Sequence, residues 1–563
     1  QDTNHISFKG PLSLSSTVTY TLPEDGSNGQ FLKTDGSGVL SFATVDAGVT
    51  SDSAENTVAG TGAGDGFSGT DAVNNTFYGY FAGKQVSTGD RNTLIGHRAG
   101  DNITTGANNT AVGEAALTDV STTSNNTAVG RNALQDCIST NNTAVGYSSG
   151  YAVNSGTRNT SVGYQSFATN TSGSYNTAIG ADALESNTTA SDNTAVGYNC
   201  FTANTTGNDN TGVGNNAADA NTTGSGLTAI GRNALGSNTT ASNSTAVGRN
   251  ALAVNTTGSI NTAVGAYCMD ANTTGSENTA MGVSAFTDNT TGSNNTAIGR
   301  QAMLNNTTAS NNTAVGHSAL QSTTTGQQNV AFGSGALQAN TTADYNNAIG
   351  AFTLRDNTTG TKNTGLGHGA LLVNTTASNN TGVGFNALIS NTTGEMNTVI
   401  GSSAGSALTT GSYNVAIGKD AIAAATTAHY NVGIGVHALK HEASGEKNVA
   451  VGHAALEDSN GGNYNTAVGY GSLRDNTTAD YNTAFGYHAL NLNTTGSANV
   501  AIGPRALEDN TTGSNSIGIG YGALGDQTTG SHSIAIGYDA LRIQSTGMDN
   551  LAIGFQALDA VTT

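Results

Sequence analysis

Aspartate recurs at one position of a repeated segment, six residues after a glycine that closes the segment. Its members are Asp119, Asp136, Asp288, Asp356, Asp458, Asp475, Asp509 and Asp526. Grouped carboxylates could cleave glycosidic bonds, which requires one protonated and one ionised carboxyl group in different surroundings. Aspartate is also a common turn residue, and no neighbouring residue in the sequence separates an acid from a base here. We therefore interpret this column as solvated turn residues and predict that the chain is not an enzyme.

Histidine, tyrosine and arginine share the position directly after the same glycine. Its members include His97, His317, His368, His453, Tyr147, Tyr198, Tyr487, Tyr521, Arg131, Arg232 and Arg249. A metal site needs a fixed ligand set, whereas this position accepts unrelated side chains, so we predict no metal ion and no cofactor. The variability indicates an exposed surface that could bind a receptor, with a merely solvated face as the alternative. The candidate contact residues are Tyr147, Tyr198, Tyr487, Tyr521, His317 and His368.

The glycine itself recurs at every seventeenth residue. It ends segments of the Asn-Thr-Ala-Val-Gly type at Gly79, Gly96, Gly113, Gly130, Gly146, Gly163 and Gly180, and then continues with the same period to Gly554, which gives 29 repeats. Only the interval from Gly130 to Gly146 differs, being one residue shorter, and we expect a turn to absorb this deletion. Below, this glycine is position 0, residues after it have positive positions and residues before it have negative ones.

Each repeat predicts one coil of a parallel β-solenoid. A repeat of this length is too short for a pair of helices, and its Thr, Val, Gly and Asn content favours short strands and turns. Stacked coils place like residues on like residues, so the chain is expected to form an all-β, rod-shaped stack with ladders of Asn and Thr. The Asn-Thr-Thr segments also match a glycosylation acceptor pattern, which we interpret as part of these ladders.

The period defines the expected domain boundaries. Residues 1–45 lack it and predict a small N-terminal β module, with strands at 6–8 and 18–22. Residues 46–70 are rich in Gly, Ser and Asp and predict a linker followed by a capping coil at residues 56–60. Residues 71–563 form the predicted solenoid shaft of about 29 repeats.

The strand at the end of each repeat has two faces, because alternate strand residues point to opposite sides. Val264 at position −1 shares one face with Thr262, and Ala263 at position −2 takes the other. Because Val and Leu can fill a coil, we expect the small residue at position −2 to lie outside. A small apolar column on an outer face indicates close approach of another chain, and three copies about one axis would bury it. We therefore predict a homotrimer, with a monomeric solenoid of narrow interior as the alternative.

The three cysteines are predicted to be free thiols. Cys200 and Cys268 both lie at position +3, four coils apart. At roughly 4.8 Å per coil they would be separated by about 19 Å, well beyond the approximately 7 Å that a disulfide spans between Cα atoms. Cys137 lies in the shortened repeat, many coils from both.

Charge and hydropathy exclude two classes of partner. Lys and Arg number 18 against 38 Asp and Glu, for a net charge of −20, so no basic surface is expected for nucleic acid. No apolar run approaches the roughly 18 residues of a membrane helix, so we predict no membrane insertion.

The repeat pattern over residues 75–558 resembles the head repeats of trimeric autotransporter adhesins. Those repeats fold as left-handed parallel β-rolls, so the resemblance implies left-handed coils and three chains. The pattern is also similar to repeat arrays of phage tail-fibre proteins. In addition, residues 18–43, with Tyr-Thr-Leu-Pro at 20–23 and Thr-Asp-Gly-Ser-Gly at 34–38, resemble a module common in phage fibres. The repeat here is longer than the usual autotransporter repeat.

These observations predict a non-enzymatic fibrous protein for adhesion, an attachment shaft like that of a phage tail fibre. A bacterial cell-surface adhesin or extracellular filament subunit is the alternative, and a polysaccharide-degrading tailspike is a third. Each places the chain outside the cell, on a virion or a bacterial surface. The expected partners are further copies of the chain and a cell-surface glycan or protein receptor. Because the sequence begins at Gln1, we expect a removed leader or a longer parent protein.

Overall fold

The computed structural model describes residues 30–34, 40–44, 50–67 and 71–559. The chain divides into two compact units, unit 1 (Gln1–Arg158) and unit 2 (Asn159–Thr563). All helix and strand elements of the described residues are β-strands. The predicted all-β parallel solenoid is confirmed, and its coils have the length of the sequence repeat.

The described part of unit 1 contains two short antiparallel pairs followed by a parallel stack. Its strands are β1 (Gln30–Thr34), β2 (Leu40–Thr44), β3 (Thr50–Ser51), β4 (Thr57–Ala59), β5 (Thr76–Tyr78), β6 (Thr93–Ile95), β7 (Thr110–Val112), β8 (Thr127–Val129) and β9 (Thr143–Val145). β1 pairs antiparallel with β2 and β3 with β4, whereas β4 to β9 pair in parallel, each with the next. The strands expected at residues 6–8 and 18–22, and residues 46–49 and 68–70 of the expected linker, lie outside the described residues.

Unit 2 is a stack of 24 three-residue strands, β10 to β33. They are Thr160–Val162, Thr177–Ile179, Thr194–Val196, Thr211–Val213, Thr228–Ile230, Thr245–Val247, Thr262–Val264, Thr279–Met281, Thr296–Ile298, Thr313–Val315, Val330–Phe332, Asn347–Ile349, Thr364–Leu366, Thr381–Val383, Thr398–Ile400, Val415–Ile417, Val432–Ile434, Val449–Val451, Thr466–Val468, Thr483–Phe485, Val500–Ile502, Ile517–Ile519, Ile534–Ile536 and Leu551–Ile553. Neighbouring strands pair in parallel without slippage, so that Ala263 lies beside Ala280 of the next coil. A spacing of roughly 4.8 Å per strand makes this stack about 110 Å long.

A buried asparagine before each strand ties consecutive coils together. At position −4, the side-chain oxygen of Asn261 accepts a hydrogen bond of 3.0 Å from the backbone N–H of Asn278 in the next coil. The side-chain amide of Asn278 donates to the carbonyl oxygen of Gly292 at 2.8 Å. Both asparagines are fully buried, and an unpaired buried amide costs about 1–3 kcal/mol. The ladder therefore fixes both the register and the coil closure, and the predicted asparagine ladder is confirmed.

A second asparagine ladder lies at position +7 in unit 2. The side-chain amide of Asn272 donates to the side-chain oxygen of Asn255 at 2.8 Å and to the carbonyl oxygen of Gly275 at 3.0 Å. In unit 1 the same position is apolar and buried. It holds Val86, Ile103, Val120, Cys137 and Val153. The two units thus use different chemistry at one equivalent corner of the coil.

The +7 ladder has breaks where the next coil lacks asparagine. The side-chain oxygen of Asn306 is buried without a hydrogen-bond partner among the described residues, because Thr323 follows it in the column. The hydroxyl group of Thr323 accepts a hydrogen bond of 3.3 Å from the side-chain amide of Asn340. It makes no hydrogen bond to Asn306. The side-chain oxygen of Asn391 likewise has no partner among the described residues, because Leu408 holds position +7 in the next coil. Each break leaves an acceptor buried and unsatisfied.

The assignment of the two strand faces from sequence was wrong. Ala263 is completely buried inside the coil, while Thr262 and Val264 on the opposite face are partly exposed. The alternation itself is confirmed. Leu at position +4, such as Leu252, is buried as predicted. Because this leucine and the asparagine side chains already fill so small a coil, the strand contributes only a methyl group to the interior.

Volume is exchanged between positions −2 and +4 in unit 1. Phe77 and Leu94 replace the usual alanine at −2 and are fully buried. In the same coils Gly83 and Gly100 replace the usual leucine at +4. A Cβ atom at Gly83 would lie 2.6 Å from the Phe77 ring, and one at Gly100 would lie 2.9 Å from the Leu94 methyl groups. The interior therefore accepts one large side chain from either position.

Glycine at position 0 is required by both backbone and space. Gly265 has a φ of +139°, and a Cβ atom there would lie 2.4 Å from the carbonyl oxygen of Gly282 in the next coil. Gly282 stands in the same relation to Gly299, with a φ of +136° and a separation of 2.6 Å. Any side chain at this position would meet the backbone of the following coil.

The shortened repeat keeps the ladder in register. Strands β8 and β9 pair Thr127 with Thr143. The side-chain amide of Asn126 donates to the carbonyl oxygen of Ser139 at 2.9 Å. In full-length repeats the accepting carbonyl belongs to the residue at position +10, whereas Ser139 lies at position +9. The missing residue therefore belongs to the turn after Cys137, as predicted.

The cysteines are buried free thiols. Cys137, Cys200 and Cys268 are fully buried and form no disulfide. Burial raises the pKa of Cys200 and of Cys268 to about 12. Because the thiolate is the reactive form, both thiols are expected to be inert near neutral pH.

Candidate functional site

The +1 column, formed by the residues directly after each position 0 glycine, is exposed. Tyr147, Tyr198, Tyr487 and Tyr521 have between 38% and 51% of their surface exposed, and His317 and His368 are exposed as well. The structure does not gather these predicted contact residues into one site. Within unit 2, Tyr198 follows β12 and Tyr487 follows β29, seventeen strands later. Any contact through them is therefore distributed along the stack.

Aromatic rings in this column stack on one another from one coil to the next. His453 and Tyr470 have ring centroids 5.0 Å apart with an interplanar angle of 8°, and Tyr470 and Tyr487 are 5.6 Å apart at 17°. Tyr521 pairs with Tyr538 at 5.1 Å and 11°. Stacked rings cover each other's faces and present their edges and hydroxyl groups. Sugar stacking on Tyr487 or Tyr521 is thereby restricted.

Tyr198 and His368 differ in their surroundings within the same column. Tyr198 lies between Ala181 and Asn215 in the column, neither of which is aromatic. His368 stacks on Phe385 at 5.6 Å and meets the edge of Phe352 at 5.9 Å. Tyr198 thus has no aromatic neighbour in the column, as is also true of His317, which lies between Arg300 and Ser334.

A second aromatic column, at position −5, was not identified from the sequence. Tyr413 stacks on Tyr430 at 4.9 Å, and Tyr464 stacks on Tyr481 at 5.0 Å. Lys447 donates to the Tyr464 hydroxyl group at 2.8 Å. These tyrosines repeat with the same period as the +1 column, so their alignment in neighbouring coils was readable from the spacing.

Several histidines contact carboxylates of neighbouring coils. His437 lies between Asp420, at 3.6 Å from Nε2, and Glu457, at 3.2 Å from Nδ1. His441 Nδ1 is 2.6 Å from Asp458 in the predicted aspartate column. Among the described residues, no group of three or more His, Cys, Asp or Glu side chains is arranged to hold a metal ion. These contacts act between coils as polar links.

Two pairs in the aspartate column, Asp119 with Asp136 and Asp526 with Asp509, have unequal surroundings. Burial raises the pKa of Asp136, and the adjacent Asp119 raises it further. The amide of Asn102 donates to Asp119 at 3.1 Å. The Asp119 and Asp136 carboxyl groups therefore sit in different surroundings.

The outer face of the parallel sheet is an apolar surface without a partner in the single chain. Position −1 places a large apolar side chain there in every coil, with exposed fractions such as 49% for Met281, 55% for Phe332 and 39% for Ile400. Position −3 adds Thr in most coils, the polar Asn347 in one, and Val or Ile in several, such as Val330 and Ile517. Contiguous exposed apolar surface of this kind marks interaction surfaces in soluble proteins.

No protein-family model, curated protein sequence or solved structure matches this chain. Among the described residues there is no helix long and apolar enough to cross a membrane.

Proposed function

We propose that the chain is a non-enzymatic fibre shaft for attachment at a surface, similar to the shaft of a phage tail fibre. The observation that carries this proposal is the in-register stack of unit 2, where 24 strands repeat one cross-section. Such a stack gives length and stiffness without a central active-site cavity. Outward positions such as the +1 column carry unrelated side chains from coil to coil. A bacterial cell-surface adhesin or extracellular filament subunit has the same physical requirements and is the alternative context.

The proposed shaft is a homotrimer that buries the outer sheet face. The small residues at position −2 do not support this assembly, because they lie inside each coil. Support comes from the exposed apolar side chains at position −1, which form a continuous stripe along each unit. Three copies about a common axis would cover that stripe along its length, and the resemblance to trimeric adhesins also favours three chains and left-handed coils.

Attachment is tested with the purified full chain and intact bacteria from several species. The chain is expected to co-sediment with at least one cell type and to appear as rods in negative-stain electron micrographs. Cells treated with a protease or with periodate distinguish a protein receptor from a glycan. Rods that bind no cell or cell-wall preparation would contradict attachment while leaving the fold unaffected.

Polysaccharide cleavage is the second candidate function, and the Asp119 and Asp136 pair is the observation that favours it. The purified chain is expected to release no reducing ends from bacterial polysaccharides. Release of oligosaccharides that is lost in Asp136→Asn, but not in Asp356→Asn of the same column, where Asp356 is ion-paired with Arg355, would replace the shaft proposal with that of a degrading tailspike.

A further inference from the structure

A cleft in unit 1 brings cationic, acidic and aromatic side chains together. It encloses about 420 Å³ between two consecutive coils, with Tyr80, Phe81 and Lys84 from one coil and His97, Arg98 and Asp101 from the next. A similar arrangement in unit 2, lined by Arg505, Glu508 and Tyr521, encloses only about 20 Å³. The unit 1 cleft is therefore large enough for a small ligand, and Tyr80 and His97 belong to the +1 column.

The cleft contains two cationic side chains in a chain of net charge −20. The ammonium group of Lys84 lies 4.2 Å from the centroid of the Phe81 ring, and no carboxylate of the described residues forms an ion pair with it. Arg98 uses Nε to donate to Asp101 at 2.8 Å, and half of its side chain is exposed. Lys84 thus has no direct carboxylate partner among the described residues, which favours a ligand that carries a carboxylate.

Asp101 adds a requirement for a hydrogen-bond donor. Its side chain is 8% exposed. One oxygen accepts from Arg98, and the other is buried without a hydrogen-bond partner among the described residues. A ligand hydroxyl group could donate to this oxygen, whereas a fully ionised phosphate has no donor to offer. Tyr80, stacked on His97 at 5.5 Å, supplies an apolar edge beside both polar groups.

We propose that this cleft binds a carboxylated sugar, such as a uronic acid residue at the end of a glycan. The sugar carboxylate pairs with Lys84 and the outer nitrogens of Arg98, and one hydroxyl group donates to Asp101. A short ligand is favoured over a polyanion, because the net charge of −20 repels extended negative chains. The inference rests on the proposed attachment function, for which it supplies a ligand class at the +1 surface.

The test measures binding of digalacturonate and of its neutral, carboxyl-reduced counterpart to the full chain by isothermal titration calorimetry. Digalacturonate is expected to bind about tenfold or more tightly than the neutral sugar, and Lys84→Gln is expected to remove that difference. Lys447→Gln is the matched control, because Lys447 also lies over an aromatic ring, that of Tyr464 at 4.8 Å, but in unit 2 and outside the cleft. Asp101→Asn should weaken both sugars, with circular dichroism confirming that the variant folds.

Three results would overturn the proposal. They are equal binding of the two sugars, retention of digalacturonate binding by Lys84→Gln, and displacement of digalacturonate by equimolar inorganic phosphate, which would indicate a plain anion site. Absence of sugar binding in a chain that still co-sediments with cells would reject this cleft and leave the attachment function standing. Absence of both would reject the two proposals together.

Discussion

At the scale of single residues, the coil combines strained backbone with complete burial. Leu252 at position +4 has a left-handed backbone, with a φ of 51°, which costs a non-glycine residue roughly 1–2 kcal/mol. Burying a leucine side chain contributes roughly 1.5–3 kcal/mol, and this side chain is fully buried. Burial therefore outweighs the strain, and the same residue type can recur at +4 throughout the stack.

Gly265→Ala is expected to disrupt the stack locally. The substitution adds a Cβ atom 2.4 Å from the carbonyl oxygen of Gly282, at a φ of +139°, and strain of this type alone costs of order 1–3 kcal/mol. Hydrogen exchange of amides in the two flanking coils should accelerate. Gly236→Ala is the control, because its nearest neighbour would be 3.4 Å away. Equal exchange in both variants would show that position 0 does not require glycine.

Ala263→Leu is expected to destabilise the coil by overpacking its interior, at roughly 1–3 kcal/mol. Ala263 is fully buried within its own chain. The loss of stability should therefore appear as faster hydrogen exchange of the neighbouring backbone amides, whether the protein is a monomer or an assembly. Adding Met269→Gly at position +4 of the same coil should restore part of the lost stability. The precedent is the coil in which Gly83 at position +4 leaves room for Phe77 at position −2. Loss of assembly with unchanged exchange would instead place this alanine at an interface.

At the scale of the coil, the period determined most of what could be predicted. The regular recurrence of glycine predicted the strands, their parallel pairing and the ladders of asparagine. The choice of inner face failed because alternation defines two faces without saying which one is enclosed. Which face is enclosed depends on how much of the interior Leu252 and the asparagines already fill. This can be judged only once the closed coil is known.

The cleft around Lys84 was beyond sequence reasoning for a similar reason. It combines positions +1, +2 and +5 of two adjacent coils, and no single column contains its chemistry. The stacked tyrosines at position −5 required only a comparison of residues one period apart, such as Tyr464 and Tyr481. Side chains that interact within one column are predictable from the period, whereas sites that cross columns need the coil geometry.

Thr323→Asn is expected to stabilise unit 2 by repairing a break in the +7 ladder. The new amide can donate to the side-chain oxygen of Asn306, which has no partner among the described residues, and can accept from Asn340 in place of the threonine hydroxyl. A satisfied buried hydrogen bond contributes about 1 kcal/mol. Amides of the two flanking coils should exchange about fivefold more slowly. Thr323→Val, which has no amide, is the control, and equal protection in both variants would contradict the ladder interpretation.

At the scale of the whole molecule, acidic residues govern the response to pH. Burial raises the pKa of several carboxyl groups in the stack, namely Asp136, Glu185, Asp219, Asp270 and Asp509. A raised pKa in the folded state means that the folded chain binds these protons more tightly than the unfolded chain. Protonation also reduces the self-repulsion that accompanies a net charge of −20.

The stack is therefore expected to become more stable as the pH falls from 7 toward about 4.5. The gain begins as the pH falls through the raised folded-state pKa values and is complete below the ordinary values of about 4. The lowered pKa of Asp52 acts in the opposite direction, but this group is fully exposed. Thermal unfolding followed by circular dichroism should shift to a higher temperature at pH 4.5, and Asp136→Asn should reduce the shift. A lower unfolding temperature at pH 4.5 would contradict this expectation.

The last expectation concerns assembly. Light scattering of the purified chain should give three times the chain mass of 56.1 kDa, because three copies can cover the apolar stripe at position −1 continuously. Val264→Cys tests the face directly, since the native cysteines are buried and a new thiol near the common axis should form interchain disulfides on oxidation.

Tyr198→Cys, on the exposed +1 column, is the matched control and should remain uncrosslinked within one trimer. Crosslinking at Tyr198 with none at Val264 would place the interface on the turn face. A mass of one chain at micromolar concentration would reject the trimer. The apolar stripe would then remain open to solvent along a stack of about 110 Å in unit 2, and its partner would have to be a different molecule.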